Sequence, residues 1–208
     1  MKTNRPSTVA GWTRLCLALV ASSALWAEAC TSARNAASPM TPADPSSTGT
    51  ASPSVDGGFV GVAYVNHTAG YTFHYPEGWV VVEGQQAGSV VIYAPPGDPR
   101  TSPANVSISM IPVPGGTDLQ SYYRQDVGFL RFIPGFRLSD THRESFASSP
   151  AFSISYSISP KGKTFMALQT TALVDSTAYT AIYSSAPRTF KRYFVGAGLI
   201  VRSFQLMG

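Results

Sequence analysis

The sequence predicts an α+β domain in which a mostly antiparallel β-sheet is flanked by helices. Three observations lead to this fold class. From residue 59 onward, short segments rich in β-branched and aromatic residues alternate with turn residues. Two other segments carry apolar residues at helical spacing, one near the middle of the chain and one near its end. The order of strands, helix, strands and helix is typical of α+β proteins and not of doubly wound folds.

The N-terminus has the features of an export signal. Lys2, Arg5 and Arg14 form a positive region before and at the start of an apolar run over residues 15–26, which is too short to span a bilayer. The following Ala27-Glu28-Ala29 has the small-x-small pattern of a cleavage site, with cleavage after Ala29. We therefore predict that residues 1–29 are a signal peptide.

Two interpretations compete at Cys30. Ordinary cleavage would release a soluble protein, whereas bacterial lipoprotein processing would acylate Cys30 as the first mature residue. Glu28 and Ala27 depart from the preferred lipoprotein signal, but the other cysteine, Cys16, leaves with the leader. A lone exported cysteine cannot form an intrachain disulfide, and acylation accounts for its position. We predict that Cys30 is lipidated and attaches the protein to a membrane.

Residues 30–58 are predicted to be a disordered tether. They are rich in Ala, Ser, Thr, Pro and Gly and contain hardly any large apolar side chain. Such a segment cannot bury enough apolar area to offset the entropy of ordering it. The folded domain is therefore assigned to residues 59–208.

The charge of the chain argues against nucleic-acid binding. Fifteen Lys and Arg face eleven Asp and Glu, a formal net charge of +4. Three of these cations and one acid lie in the leader, so the remaining twelve and ten give only +2. Such a small excess does not produce the basic surface that nucleic acids require.

The strands follow from alternation and turn residues. The predicted strands are residues 59–64, 71–75, 79–83, 89–94, 105–111, 152–158, 164–174 and 178–184. In the segment Gly70-Tyr71-Thr72-Phe73-His74-Tyr75-Pro76-Glu77-Gly78-Trp79, alternation places Tyr71, Phe73 and Tyr75 on one face. Pro76 ends ladder pairing, Gly78 gives the turn its freedom, and Trp79 starts the next strand as a core residue.

Two later features complete the sheet pattern. Isoleucine and tyrosine alternate with serine over residues 153–159, which predicts a half-buried strand with a serine face toward solvent. Pro160-Lys161-Gly162-Lys163 then predicts a hairpin turn into the following strand.

Two segments are predicted to be helices. The first spans residues 118 to about 133, with apolar side chains at 119, 123, 127 and 130 and Thr117 as its N-cap. The second begins at Pro187, and Phe190, Phe194, Ala197, Val201 and Phe204 repeat at helical spacing. Gly196 and Gly198 weaken this helix and are expected to allow close packing on the sheet.

No catalytic motif is evident in the sequence. It contains no Gly-x-Ser-x-Gly, Walker, His-Glu-x-x-His or paired-cysteine zinc pattern. His74 is expected to face solvent from a strand, His67 to lie in a loop and His142 in a solvated turn. Asp98 lies in a polar loop, but calcium needs six or more oxygen ligands. We therefore predict a binding domain and not an enzyme; the alternative is a hydrolase whose serine nucleophile is assembled from distant residues.

Several cations could form a docking patch for an acidic partner, although a solvated helix face and hairpin account for them equally well. These are Lys161, Lys163, Arg188, Lys191 and Arg192.

Several segments together resemble the PsbP family, the extrinsic lumenal proteins of photosystem II. The segment from Gly70 to Trp79 is the most specific, through Tyr71, Phe73, Pro76, Gly78 and Trp79. Asn105-Val106-Ser107-Ile108 is similar to the family's Asn-Val-Ser-Val strand, and Ile200-Val201-Arg202-Ser203-Phe204 to its Ile-Val-x-Ser-Phe terminus. The family fold is an antiparallel sheet flanked by helices. The layout with a predicted lipid anchor is most similar to that of the cyanobacterial member.

The resemblance implies a non-enzymatic accessory that docks on photosystem II at the lumenal face of the thylakoid membrane. There it would support assembly or the oxygen-evolving cluster. It also implies association with calcium, without ligands that can be assigned in this sequence. The alternative is an exported bacterial lipoprotein, on the outer face of the cytoplasmic membrane, whose PsbP-like binding domain has an unrelated role. A solute-binding or envelope-stabilising protein would belong to this second class.

Overall fold

The structure is a computed structural model that describes residues 61–84 and 86–208. The predicted signal peptide, the cleavage site at Ala29, Cys30 and the tether lie outside the described residues, as do the first two positions of the predicted strand 59–64.

Ten strands and two helices make up the described part of the chain. The strands are β1 Gly61–Asn66, β2 Tyr71–Pro76, β3 Val80–Glu83, β4 Val90–Tyr93, β5 Ala104–Pro112, β6 Arg137–Phe146, β7 Ser149–Ile158, β8 Phe165–Val174, β9 Thr177–Ser185 and β10 Gln205–Leu206. The helices are α1 Leu119–Leu130 and α2 Pro187–Arg202.

The strands form two sheets. A seven-stranded sheet has the order β3-β4-β5-β9-β8-β7-β6, and a three-stranded sheet has the order β1-β2-β10. Each neighbouring pair is antiparallel. The predicted α+β fold with a mostly antiparallel sheet flanked by helices is therefore confirmed.

One face of the large sheet packs against helix α2 and the small sheet. This core contains Val106 and Ile108 of β5, Tyr183 of β9 and Ile200 of α2, each at most 1% exposed. The small sheet contributes Tyr71, Phe73 and neighbouring aromatic side chains. Gly196 permits the approach of α2, because a Cβ at this position would lie only 3.0 Å from Pro76 and 3.1 Å from Trp79. Gly198 instead lies against the side chain of Arg202.

The other face of the large sheet packs against helix α1. Val127 and Leu130 of this helix contact Ile154, Tyr156 and Ile158 of β7 in a second core. Strand β9 is therefore covered on both faces: Ala181 and Tyr183 lie in the first core, and Ile182 lies in the second.

Strand β6 was not predicted from the sequence. It runs along the edge of the large sheet, and nine of its ten residues are exposed. Because an edge strand with two solvated faces needs no apolar alternation, its sequence has no strand pattern. The predicted solvated turn at His142 is wrong, since this residue lies within β6 and is paired with Ser153.

The helix ends differ from the prediction in two details. Asp118, not Thr117, caps α1: its Oδ1 accepts a hydrogen bond of 2.9 Å from the backbone N–H of Ser121. Helix α1 ends at Leu130, and α2 ends at Arg202, so Phe204 lies beyond the helix although it remains in the core. The start of α2 at Pro187 is confirmed.

The serine face of β7 is less open than predicted. Ser153 is only 1% exposed, and its hydroxyl lies 3.3 Å from the Thr170 hydroxyl of β8. Ser155 and Ser157 are half-buried. The predicted turn at residues 160–163 is confirmed as one turn of 3₁₀ helix over Pro160–Gly162.

Within the described residues, neither helix has the length and apolar character needed to cross a membrane.

We expect Trp79→Ala to destabilise the domain by about 3–5 kcal/mol, because it removes a large buried aromatic side chain. Trp79 is 8% exposed, and its ring packs edge-on against Tyr193 at 6.0 Å between centroids. Urea titration measures the loss in the free energy of unfolding. Phe132→Ala is the matched control, since Phe132 is 81% exposed and its removal leaves the core intact. A loss below about 1 kcal/mol for Trp79→Ala would contradict a core role for this residue.

Candidate functional site

The residues of the Gly70–Trp79 motif are structural. Tyr71 and Phe73 are fully buried, and the Tyr71 hydroxyl donates a 2.7 Å hydrogen bond to the carbonyl of Gly88. Burial raises the pKa of Tyr71 and keeps its hydroxyl a donor. Pro76 ends β2, and Gly78 adopts a positive φ of 80° in the turn to Trp79. Tyr75 is only half-buried, so the predicted aromatic face is buried at two of its three positions.

Asn105 also has a structural contact. It lies on β5 opposite Ser184 of β9, and its side-chain oxygen accepts a 3.3 Å hydrogen bond from the Ser184 hydroxyl. Asn105 and Ser184 are each 9% exposed, and the pair lies near the edge of the sheet face that packs against α1.

The three histidines lie far apart in the fold. His67 is exposed in the turn between β1 and β2. His74 is half-buried in β2, where its backbone N–H donates to the Ser203 hydroxyl at 2.8 Å, so the predicted solvent-facing position is only partly realised. His142 lies in β6 with its Nδ1 2.9 Å from Asp140 Oδ2, and both side chains are more than half exposed.

The Asp140–His142 pair lies beside a serine, yet the arrangement is not that of a nucleophile and its base. Ser153 is directly opposite His142 in the sheet. A nucleophilic serine would bond to the second ring nitrogen of the histidine. Instead, the Ser153 hydroxyl pairs with Thr170, and Thr170 donates a 2.8 Å hydrogen bond to Glu144. The polar groups on this face form a ladder of side-chain hydrogen bonds between β6, β7 and β8.

The residues that could bind calcium do not gather into one site. Asp98 lies in the loop between β4 and β5, and its Oδ1 accepts a 2.8 Å hydrogen bond from the backbone N–H of Arg100. Over residues 61–84 and 86–208, no three acidic, histidine or cysteine side chains are close enough to hold a metal ion. The calcium association implied by the family resemblance therefore does not fit the described residues.

A partly buried carboxylate lies between α1 and the large sheet. Asp126 projects from α1 toward β8, and its Oδ2 accepts a hydrogen bond of 2.5 Å from the Gln169 side-chain amide. The Gln169 carbonyl accepts a hydrogen bond from the Tyr156 hydroxyl at 3.3 Å. Two threonines extend this hydrogen-bond network: the hydroxyls of Thr171 and Thr180 lie 3.0 Å apart. The sequence gives no signal for this network, because Asp126 stands beside the apolar positions of the helix.

The surroundings of Asp126 make it easier to protonate. It lines a narrow cleft whose other walls include Tyr122, Tyr123 and Phe152. Burial raises the pKa of Asp126 from 3.8 to about 6, and the hydrogen bond from Gln169 offsets part of this effect. Burial, together with the charge of Asp126, raises the pKa of Tyr156 as well.

The predicted basic residues lie at one end of the large sheet. Lys161 and Lys163 are in the turn that precedes β8, and Arg188 begins α2 directly after β9. Met166 of β8 pairs with Ser185 of β9, so this turn and the helix start lie at the same end. Lys191 and Arg192 follow in the next turn of α2, where the guanidinium of Arg192 stacks on Tyr193 at 5.3 Å.

Two further cations and an exposed aromatic residue lie at this end. The loop after α1 carries Arg131 and Phe132, and Arg137 starts β6. In the same loop, the Pro134 carbonyl accepts a 2.7 Å hydrogen bond from the backbone N–H of Ser159. This hydrogen bond fixes the loop beside the 160–163 turn. We call the whole region, residues 94–103, 131–137, 159–164 and 187–193, the basic end. Sequence reasoning missed Arg131 and Arg137 because only the sheet topology brings them to the other cations.

Comparison with known proteins gives one family match, over part of the chain. The PsbP family model matches residues 61–127, which run from β1 into α1. None of the curated proteins compared with the chain matches it.

Solved structures extend the likeness over the whole described domain. The solution structure of cyanobacterial PsbP (CyanoP) from Synechocystis sp. PCC 6803 is 16% identical with a TM-score of 0.53, covering 74% of this chain and 97% of that one. The crystal structure of LpqN, involved in cell envelope biogenesis of Mycobacterium tuberculosis, is 19% identical with a TM-score of 0.54, covering 76% and 90%. At these identities the two likenesses show the fold alone.

We expect Asp126→Asn to stabilise the protein at neutral pH and to leave its stability almost unchanged below about pH 4. The folded protein binds the Asp126 proton more tightly than the unfolded chain does, because burial raises the pKa to about 6. This contribution to stability is complete below the unfolded pKa and is lost as the pH rises through about 6. The asparagine carries no charge and keeps the acceptor for Gln169, so the gain above pH 7 should be roughly 2–3 kcal/mol.

Urea titration at several pH values measures this difference, with Asp118→Asn as the matched control. Hydrogen bonds from the side chain and backbone of Ser121 lower the pKa of Asp118, so its contribution is lost on acidification instead. A stability difference for Asp126→Asn that does not vary with pH would show that its carboxylate is not desolvated.

Proposed function

We propose that this chain, whose folded part resembles the PsbP family, is an exported and lipid-anchored accessory protein that docks on a larger assembly at a membrane surface. The observation that carries the proposal is the PsbP-like arrangement of the folded part, from β1 through the C-terminal β10. A family match over residues 61–127 and the likeness to CyanoP over 74% of the chain support it.

The proposed location rests on the N-terminal sequence. The leader, the cleavage pattern at Ala29 and the single cysteine at position 30 favour acylation of Cys30. In an oxygenic phototroph the exported domain would lie on the lumenal face of the thylakoid membrane. In another bacterium it would lie on the outer face of the cytoplasmic membrane.

In an oxygenic phototroph, the proposed partner is photosystem II. There the domain would support assembly of the complex or its oxygen-evolving cluster, as the family resemblance implies. The proposal assigns it no calcium ligand, because the described acidic side chains form no cluster of three.

A second role has its own support in the likeness to LpqN. That mycobacterial protein is involved in cell envelope biogenesis, and its TM-score of 0.54 is as high as that of CyanoP. In a host without oxygenic photosynthesis, we propose that the domain binds a component of the cell envelope.

The proposal assigns no catalysis to the domain. The Asp140–His142 pair is the arrangement nearest to a catalytic one, and its neighbouring serine is engaged with Thr170. A binding role is consistent with a domain whose family-motif residues serve the core while its cations lie together at one surface.

We expect Cys30→Ser to move the protein from the membrane fraction to the soluble exported fraction, because the acyl chains that hold it would be absent. Cell fractionation with detection of the protein measures this distribution. Cys16→Ser is the matched control, since Cys16 lies within the leader and should leave the distribution unchanged. A Cys30→Ser variant that sediments with the membrane as the parent does would contradict the lipid anchor.

We expect photosystem II subunits to co-purify with the tagged protein from detergent-solubilised membranes of an oxygenic phototroph. Charged contacts are screened over about 8–10 Å at ordinary ionic strength, so a molar salt wash should remove these subunits. The same wash of intact membranes should leave the acylated protein in place. If no photosystem II subunit is recovered at low salt, even from assembly intermediates, the photosystem role is wrong.

A further inference from the structure

The described domain has a strongly uneven distribution of charge. Residues 61–208 contain eleven Lys and Arg and eight Asp and Glu. Eight of these cations lie at the basic end: Arg100, Arg131, Arg137, Lys161, Lys163, Arg188, Lys191 and Arg192. Two acids lie there or beside it, Asp98 in the loop before β5 and Glu77 in the turn before β3. The rest of the domain therefore has a net negative charge.

This distribution follows from the topology. Antiparallel hairpins place every second connection at the same end of a sheet. The registers Ile158–Phe165, Met166–Ser185 and Ala104–Ser185 bring the 159–164 turn, the start of α2 and the loop before β5 together. The Ser185 hydroxyl donates a 3.0 Å hydrogen bond to the Pro103 carbonyl, which ties two of these segments directly.

Three cations at this end, Arg131, Arg137 and Lys163, have no carboxylate partner among the described residues. Residues 127–139 and 145–174 contain no Asp or Glu. In the described part of the chain, the ion pair found is that between His142 and Asp140, so no carboxylate pairs with Arg131, Arg137 or Lys163.

An apolar side chain projects among these charges. Phe132 is 81% exposed, although it follows a helix whose apolar residues are buried. Leu138 and Met166, 39% and 37% exposed, lie at the same end. Exposed aromatic side chains flanked by Lys and Arg are typical of surfaces that lie in the interfacial layer of a membrane.

The chain also enters the domain from this end. Gly61, the first residue of β1, pairs with Pro76, whose carbonyl accepts a hydrogen bond from Trp79. Trp79 leads directly into Val80, which pairs with Tyr93 at the end where the 94–103 loop begins. The segment that carries Cys30 is therefore attached on the side of the basic end.

From these observations we infer that the basic end lies against a membrane surface rich in anionic lipid, with Phe132 inserted between the headgroups. The cations would contact lipid phosphates, and the net negative remainder of the domain would face away from the bilayer. This contact rests on the membrane location in the proposed function, but it does not depend on acylation of Cys30. An acidic protein surface would match the cations equally, whereas the exposed Phe132 and the attachment of the chain favour lipid.

The test measures binding of residues 30–208 carrying Cys30→Ser, the chain that remains after removal of the predicted signal peptide, to lipid vesicles by sedimentation. One set of vesicles is pure phosphatidylcholine, and the other is an equal mixture of phosphatidylcholine and phosphatidylglycerol. Without the leader, its cations and apolar run do not contribute to binding. We expect tighter binding to the anionic vesicles, with an affinity that falls as salt is added.

Two pairs of variants then locate the contact. Each cation near an anionic bilayer contributes roughly a five-fold factor in affinity, so Arg131→Gln, Arg137→Gln and Lys163→Gln together should weaken binding about 100-fold. The control combines Arg124→Gln, Arg143→Gln and Arg202→Gln, which change the net charge equally but lie away from the basic end. Phe132→Ala should weaken binding roughly five-fold or more, and Val195→Ala, at a 52% exposed position of α2, should not.

If the two charge variants lose the same affinity for anionic vesicles, binding depends on net charge alone. That result would overturn the assigned surface. Absence of a preference for anionic vesicles at low salt would overturn the lipid contact and leave the basic end to an acidic protein partner. Either result is compatible with an acylated Cys30, whereas a soluble parent protein in cell fractionation would refute the anchor and leave the vesicle result standing.

Discussion

The joining of the small sheet, helix α2 and the large sheet depends on the position of Phe204. Its ring packs against Tyr71 of β2 at 5.1 Å and against Phe146 of β6 at 4.9 Å between centroids. Phe204 can reach both because the chain leaves α2 after Arg202 and continues into β10, which pairs with the start of β2. The segment after α2 thus closes the core. The packing of this core sets the orientation of α2 and, with it, the position of the basic end.

The same layered arrangement separates structural from surface chemistry. The family-motif aromatic residues lie inside the first core, and the polar group around Asp126 lies between α1 and the large sheet. A buried carboxylate stabilises a fold poorly unless it is neutral or fully paired. Among the described residues, Asp126 has Gln169 as its hydrogen-bond partner and no cation as a partner. Protonation of Asp126 therefore makes the packing of α1 on the large sheet depend on pH. The surface cations, by contrast, lie on turns and helix starts, where their charges remain solvated.

Much of the fold could be predicted from sequence because most strands follow simple alternation. The helix starting at Pro187 and the core position of Trp79 also follow from local rules of φ, turn chemistry and periodicity. Strand β6 could not be predicted, since it is an exposed edge strand whose polar and charged residues show no alternation with apolar ones. The Asp126–Gln169 contact and the position of the 131–137 loop beside the 160–163 turn depend on which elements become neighbours, and a local sequence pattern does not contain that information.

Strand β6 also affects how copies of the protein behave beside one another. Its inner edge pairs with β7, and no strand of the described chain covers its outer edge. Such an edge is a template for pairing with another molecule. Here a register irregularity between Leu138 and Asp140 and the charged side chains of Arg137, Arg143 and Glu144 oppose that pairing. At the membrane surface proposed above, copies of the protein would meet at high local concentration, and this protected edge would let them accumulate there without sheet-to-sheet aggregation.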